Sequence, residues 1–168
     1  MNHVLRILAP EDVDEFRRVR LDALRLHPAA FLASYEDECV LDRAQFAERL
    51  VTPGLTRFGA FAHKEMVGLV GLQVSNGAKV RHKAHLFSMY VANGHRRSGS
   101  ADRLVQAVID AARQTGALIL QLTVTAGNVP AQRLYGRMGF QVYGIERRAI
   151  QVGNRFYDEE LMALNLDG

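Results

Sequence analysis

The chain reads as a single α+β domain built on a mixed, mostly antiparallel sheet flanked by helices. Three observations carry this. Residues 57–63, 66–75 and 83–91 are strand-like and follow one another across short turns, as in an antiparallel run. Residues 83–124 then make a central strand–helix–strand unit. Residues 140–150 and 155–164 close the chain as a hairpin turning at Gly153-Asn154. The expected order is β-α-α-β-β-β-α-β-α-β-β. No repeat, low-complexity tract or linker divides residues 1–168.

Each element has a local reason. Residues 4–8 read as a short strand. Pro10, Glu11 and Asp12 open a helix, because proline tolerates the first turn and acids favour the positive end of the dipole. Val13, Phe16, Arg20, Leu21 and Leu24 keep helical spacing up to His27-Pro28. Residues 29–38, AAFLASYEDE, are expected to be a long loop. Asp42 with Gln45 forms a capping box for a second helix reaching about Leu50. Ala101, Leu104, Val105, Val108, Ile109 and Ala112 mark an amphipathic helix that Gly116 ends. Residues 117–124 are a nearly continuous apolar strand, as expected where both faces are covered. Asn128 and Pro130 start the last helix, which runs through Arg137.

Composition limits the function classes. The 168 residues suffice for one domain with a sizeable core, and 48% hydrophobic content argues against disorder. No apolar run is long enough for a membrane span, and no signal peptide is read at the N-terminus. The single cysteine, Cys39, fits a reducing compartment, so a cytoplasmic location is expected. One cysteine without a close histidine pair makes a zinc site improbable, and no metal is expected. The net charge of +3 decides nothing alone, but His82, Lys83, His85, His95, Arg96 and Arg97 gather around one strand and its following turn. A nucleic-acid partner is not expected, because a broad basic stripe and an aromatic platform are both lacking.

That turn, HRRSGSA at residues 95–101, loses side-chain bulk where a helix begins. The first N–H groups of a helix lack intrahelical partners and form an anion site. Gly99 lacks a Cβ, while Ser98, Ser100 and Ala101 are small, so a phosphate could reach the backbone. Arg96 and Arg97 add fork-shaped donors. The stretch is neither a Walker loop nor a dinucleotide Gly-x-Gly-x-x-Gly. Taken alone, a solvated turn with two arginines explains it equally well.

A second motif breaks the tie. Arg96, Gly99 and Ala101 match an Arg/Gln-x-x-Gly-x-Gly/Ala loop. Asn128, Ala131, Leu134, Tyr135, Gly139 and Phe140 match Asn-x-x-Ala-x-x-Leu-Tyr-x-x-x-Gly-Phe. Together, in this order, they resemble the GNAT (GCN5-related) N-acetyltransferase superfamily, and the element order agrees along essentially the whole chain. Arg97 departs from the pattern, since many members place glycine there.

The resemblance implies a GNAT-like fold, acetyl-CoA as co-substrate and a primary amine, free or on a peptide, as acceptor. It implies that Met89, Tyr90 and Val91 meet the pantetheine arm and the thioester carbonyl through their backbone. Arg96, Arg97, Ser98, Gly99, Ser100 and Ala101 would hold the pyrophosphate. Asn128 and Ala131 would flank the pantetheine, although Asn128 also reads as a helix N-cap. Tyr135 is the expected general acid for the departing thiolate; taken on its helix alone, it would be a core aromatic. His85 and Glu38 are rival bases. Phe31, Tyr35, Glu36 and Tyr157 are expected around the acceptor. Asp158 and Glu159 could attract a cation, but exposed hairpin charges are their more ordinary reading. Homodimers are common in the family, and the sequence fixes no interface. A catalytically silent CoA-binding module of the same fold is the alternative function.

Overall fold

A computed structural model describes residues 3–167. Seven strands form one sheet: β1 (Val4–Ile7), β2 (Leu55–Ala62), β3 (Glu65–Val74), β4 (Lys83–Val91), β5 (Ile119–Thr125), β6 (Gln141–Val152) and β7 (Arg155–Asn165). Their spatial order is β1-β2-β3-β4-β5-β7-β6. Of the paired strands only β4 and β5 run parallel, joined across the sheet by α4 (Ser100–Gln114). The mixed, mostly antiparallel sheet expected from the sequence is therefore present.

The sheet is covered on both sides. On one face α4 buries Leu104, Val105, Val108, Ile109 and Ala112 against β2–β5, with Leu134 and Tyr135 of α5 (Val129–Arg137) in the same cluster. On the other face α1 (Val13–Leu26) buries Val13, Phe16, Val19 and Ala23, joined by Phe46 of α3 (Arg43–Leu50) and by Leu69 and Tyr90 of the sheet. A 3-10 turn at Pro10–Asp12 precedes α1, where Arg6 grips Asp12 through two contacts of 2.6 and 2.7 Å. The Asp42–Gln45 capping box forms in both directions.

The loop expected at residues 29–38 is partly helical. Pro28–Ala30 is a 3-10 turn and Tyr35–Cys39 a short helix, α2, so the observed order has one helix more. Ser34 caps α2 by accepting from the Asp37 N–H, and three acids occupy its first turn. Five residues are too few to show an apolar period, which is why pattern reading misses this helix. One glycine bears directly on the site. A Cβ at Gly71 would lie 2.4 Å from the Phe87 ring, so glycine here lets β4 lay an aromatic side chain flat across β3.

Candidate active site

The site begins where β4 loses its partner. β4 and β5 pair only over Lys83–His85 against Ile119–Gln121; past that point they diverge. On the opposite edge, β4 slips against β3, with Phe87 opposite Gly71 and Tyr90 opposite Leu69. The slip is a bulge around Ser88, whose φ of +55° is unusual for a side-chain-bearing residue. Regular alternation along β4 would put His85 on one face with Phe87, Met89 and Val91. His85 and Phe87 instead share a face with Tyr90, because the extra residue reverses the alternation. Met89 and Val91 turn to the α4 side, where they pack with its core.

A cavity of about 370 Å³ opens through the divergence. Asn128, Ala131 and Tyr135 of α5 line it from one face of the sheet, together with Met89. His85, Phe87, Thr123 and Glu159 line it from the other, with Phe31 and Arg20 above them. The cavity thus joins the two faces through the sheet. The Thr125 hydroxyl donates to the Ala29 carbonyl at 2.6 Å, pinning the segment that carries Phe31 over the opening.

The turn expected to bind an anion has the required backbone. Gly99 caps α4 in the left-handed region at φ +79°, and Arg97 is left-handed at +61°. A Cβ on Gly99 would meet nothing within 4 Å, so glycine serves the conformation and leaves the outer side open. No side-chain cap covers the start of α4. Asp102, awkward near a phosphate in the sequence, is drawn aside by Arg137 at 2.8 Å. Arg96 folds back: its Nε donates to the Val91 carbonyl at 3.0 Å, and its Nη2 lies 2.9 Å from His27 Nε2. Arg97 is exposed.

The turn is buttressed in a way the sequence did not suggest. Ser98 Oγ donates to the His95 carbonyl at 2.7 Å and lies 3.0 Å from Ser100 Oγ. His3 bonds Ser100 Oγ through Nδ1 and meets His95 Nδ1 at 3.1 Å. Burial first, then neighbouring charges, lower the His3 pKa, so it stays neutral. The hydroxyls of Ser98 and Ser100 thus face inward, leaving main-chain N–H groups as the outward donors.

Tyr135 is 5% exposed, stacks edge-on with Phe140 at 5.8 Å and reaches the cavity. Burial pushes its phenol well up, so it is a neutral hydrogen-bond donor. Asn128 caps α5 by accepting from the Ala131 N–H at 3.4 Å while lining the cavity, so its N-cap reading holds. His85 keeps an exposed side, and the desolvation of the rest of its ring lowers its pKa, which favours the neutral imidazole.

Glu38 stands elsewhere. It is 5% exposed, held by Arg20 at 3.0 and 2.8 Å and by Arg49 at 3.0 Å, and it is absent from the cavity wall. Burial alone would push its carboxyl up, but the two guanidiniums outweigh that and hold it below its ordinary range. Arg20 comes between Glu38 and the cavity, bonding Ser88 Oγ at 3.1 Å. Phe31 lines the cavity, 5.5 Å beneath the Arg20 guanidinium. Tyr35 lies in a separate groove with Arg17 and Arg25, and Glu36 is exposed on the same short helix. Tyr157 pairs with Ile150, lies 5.7 Å beneath the Arg155 guanidinium and does not reach the cavity.

Arg20, Ser88 and Thr123 line the cavity and were not among the expected site residues. Glu159 reads in the sequence as an exposed hairpin charge; it is 4% exposed and inside the cavity. β7 lies between β5 and β6, so residues on one of its faces are covered. No group of three or more His, Cys, Asp or Glu that could hold a metal occurs among the described residues. No helix among them is long and apolar enough to cross a membrane.

Comparison with known proteins gives the family and the fold. The family model of the acetyltransferase (GNAT) family matches residues 17–140, and the chain belongs to that family. An uncharacterised N-acetyltransferase of Mycobacterium tuberculosis is 30% identical over 160 residues, covering 92% of this chain and 98% of that protein. The L-methionine sulfoximine/L-methionine sulfone acetyltransferase of Pseudomonas aeruginosa is 34% identical over 80 residues. That match takes in 48% of this chain and 46% of the relative, so the chain spans less than half of that relative's length. Among solved structures, a GNAT-family acetyltransferase from Streptococcus pneumoniae superposes with a TM-score of 0.83 at 23% identity, covering 98% of this chain and 99% of that one. A putative acetyltransferase from Salmonella typhimurium, solved with acetyl-CoA, gives 0.80 at 21% identity, covering 100% and 96%. At these identities the two structures bear on the fold alone.

Proposed function

We propose that the chain transfers the acetyl group of acetyl-CoA to a primary amine by direct attack in a ternary complex. The observation that carries this is the cavity through the sheet, lined by Tyr135 on one side and by His85 and Glu159 on the other, with β4 running from its wall into the open turn before α4. The residues present fit acetyl-CoA: Gly99 brings no side-chain cap to the start of α4 and leaves its outer side open, the Ser100 N–H alone meeting a side chain, Ser98 Oγ at 3.4 Å, and the β4 edge past His85 is unpaired toward β5. The solved Salmonella relative carries the same molecule, which supports the assignment.

Acetyl-CoA supplies an activated thioester. The N–H groups at the start of α4 hold its pyrophosphate, flanked by Arg96 and Arg97. The β4 edge at Met89–Val91, unpaired toward β5, accepts the pantetheine arm as a short added strand. A main-chain N–H near Met89 or Tyr90 polarises the thioester carbonyl. The Asn128 amide and Ala131 flank the pantetheine from α5. His85, neutral at physiological pH, takes the proton from the acceptor nitrogen, directly or through water. Tyr135 donates its hydroxyl hydrogen bond to the departing sulfur. Burial keeps the Tyr135 phenol protonated, so it stabilises the departing thiolate as a hydrogen-bond donor. Glu38 acts by holding Arg20, while Phe31 shapes the acceptor end. The half-buried, single Cys39 supports a reducing, cytoplasmic setting.

The test is thermal denaturation with and without CoA. A ligand bound only by the folded state raises the Tm; at 100 times Kd the gain is about 2.7 kcal/mol. A rise that Arg96→Ala reduces supports the reading, and an unchanged Tm at millimolar CoA refutes it. A rise with no thiol released across a broad amine panel would instead identify a silent CoA-binding module.

A further inference from the structure

Two opposite charges, Arg20 and Glu159, line the cavity, and no step of the reaction as described acts through either of them. Glu159 on β7 is 4% exposed. Its neighbours are the Thr123 hydroxyl and a second carboxylate, Glu146, and among the described residues no cation is paired with it. A buried carboxylate without a counter-charge is costly to maintain, and a cationic ligand would relieve it. Arg20 stands on the other wall with its side chain 10% exposed. Its Nε and Nη2 are taken by Glu38, and its Nη1 reaches Ser88 at the bulge. A guanidinium has five N–H donors, so Nη1 keeps a donor for the cavity. Behind it Arg49 shares the same Glu38, and the Arg57 guanidinium is close enough to be disfavoured by both other arginines. Three guanidiniums around one carboxylate leave that wall positive.

The cavity sets the size of the ligand. Arg20, Ser88 and Glu159 all stand in the wall of the same space of about 370 Å³, so both poles must be met by one small molecule. Resting on the transferase reading above, we propose that the acceptor is a zwitterion: its ammonium faces Glu159, and a carboxylate or similar anion a few bonds away faces Arg20 and Ser88. Phe31 and Phe87 leave apolar wall between these poles for a carbon skeleton. Acetylation turns the ammonium into a neutral amide, so the product loses its hold on Glu159 and leaves. This adds no chemical step: Glu159 binds and orients, His85 takes one proton from the ammonium to free the attacking lone pair, and the second proton lost from nitrogen ends on the departing thiolate.

The test uses matched pairs on the wild-type protein: L-leucine against L-leucinamide, 4-aminobutanoate against 4-aminobutanamide, and an alanine-starting peptide. Thiol release gives kcat/KM, and calorimetry on CoA-saturated protein gives affinity independently of turnover. At least one zwitterion should exceed its amide tenfold or more in both. Ser88→Ala should shrink that preference several-fold. Glu159→Gln should raise the amine KM tenfold or more and leave the Kd for CoA unchanged. CoA-dependent binding of a zwitterion without turnover would sustain the proposal while the transferase reading fails. Equal handling of acid and amide in both pairs would overturn it. So would a peptide that outperforms every zwitterion, or CoA binding with no zwitterion bound or turned over.

Discussion

Tyr135 joins two properties that separate at most buried tyrosines: it is packed against Phe140, and it still reaches a cavity. Its raised pKa keeps the proton on oxygen, so its contribution is a hydrogen bond to the leaving sulfur. Tyr135→Phe should lower kcat by about 10²-fold and shift the acetyl-CoA KM by no more than about twofold. Comparable losses in both would make Tyr135 a binding residue. His85 sets the acid limb. Its pKa lies below the ordinary 6.5, so kcat/KM should hold down to that pH and fall on its acid side. In His85→Ala that limb should vanish; if it persists unchanged, another group is the base. Glu159 gives a stability signature of the opposite sign. Burial raises its carboxyl pKa, so the folded state holds the proton more tightly than the unfolded one. Folding stability from this group is present below the ordinary carboxyl range and is lost as pH rises through the raised value. Glu159→Gln should therefore stabilise the ligand-free protein by about 1 kcal/mol near pH 7, or roughly 2–4 °C, and the gain should disappear near pH 4. A variant less stable at pH 7 would show that the carboxylate is already satisfied. At this scale the sequence shows the residue types but not their depth. Arg20 and Glu38 are 18 positions apart, and nothing in either neighbourhood announces a buried ion pair.

At the level of elements, function depends on two irregularities. One is the left-handed cap at Gly99; the other is the bulge at Ser88. Gly99→Val should cost about 1–2 kcal/mol of stability through the left-handed backbone. It should also weaken CoA binding more than tenfold, since a branched side chain would stand on the open side of the cradle. Retained CoA affinity in a folded Gly99→Val protein would place the pyrophosphate elsewhere. The first irregularity was legible, because glycine between small residues at a strand–helix junction has few other uses. The second was not. A serine carries no sign that it will take positive φ, and the alternation of β4 therefore assigned Met89 and Val91 to the wrong face. The bounds of β4 and the Asp42 cap were readable because their signals are local. The short α2 was not readable, because its stability comes from Ser34 and from packing rather than from a period of its own.

Across the whole molecule, the sheet supplies both the barrier and the opening. Six strand pairings join seven strands, and the single parallel one comes apart after three residue pairs. The α+β class and the donor site were readable because strand runs, helix periods and two motifs all act along the chain. The acceptor end was not, because it joins α1, β4, β5 and β7, and Glu159 is buried only through the strand order β5-β7-β6. The central claim is that one cavity brings a thioester on one face to an amine on the other. The most direct measurement is incubation of purified protein with acetyl-CoA and a panel of primary amines, following free thiol and the mass of each amine. The account predicts thiol release in step with a gain of one acetyl group on the amine nitrogen, abolished by heat denaturation and sharply reduced in Tyr135→Phe. Thiol release with no acetylated amine, or none above spontaneous hydrolysis for any amine while CoA binds, would contradict it.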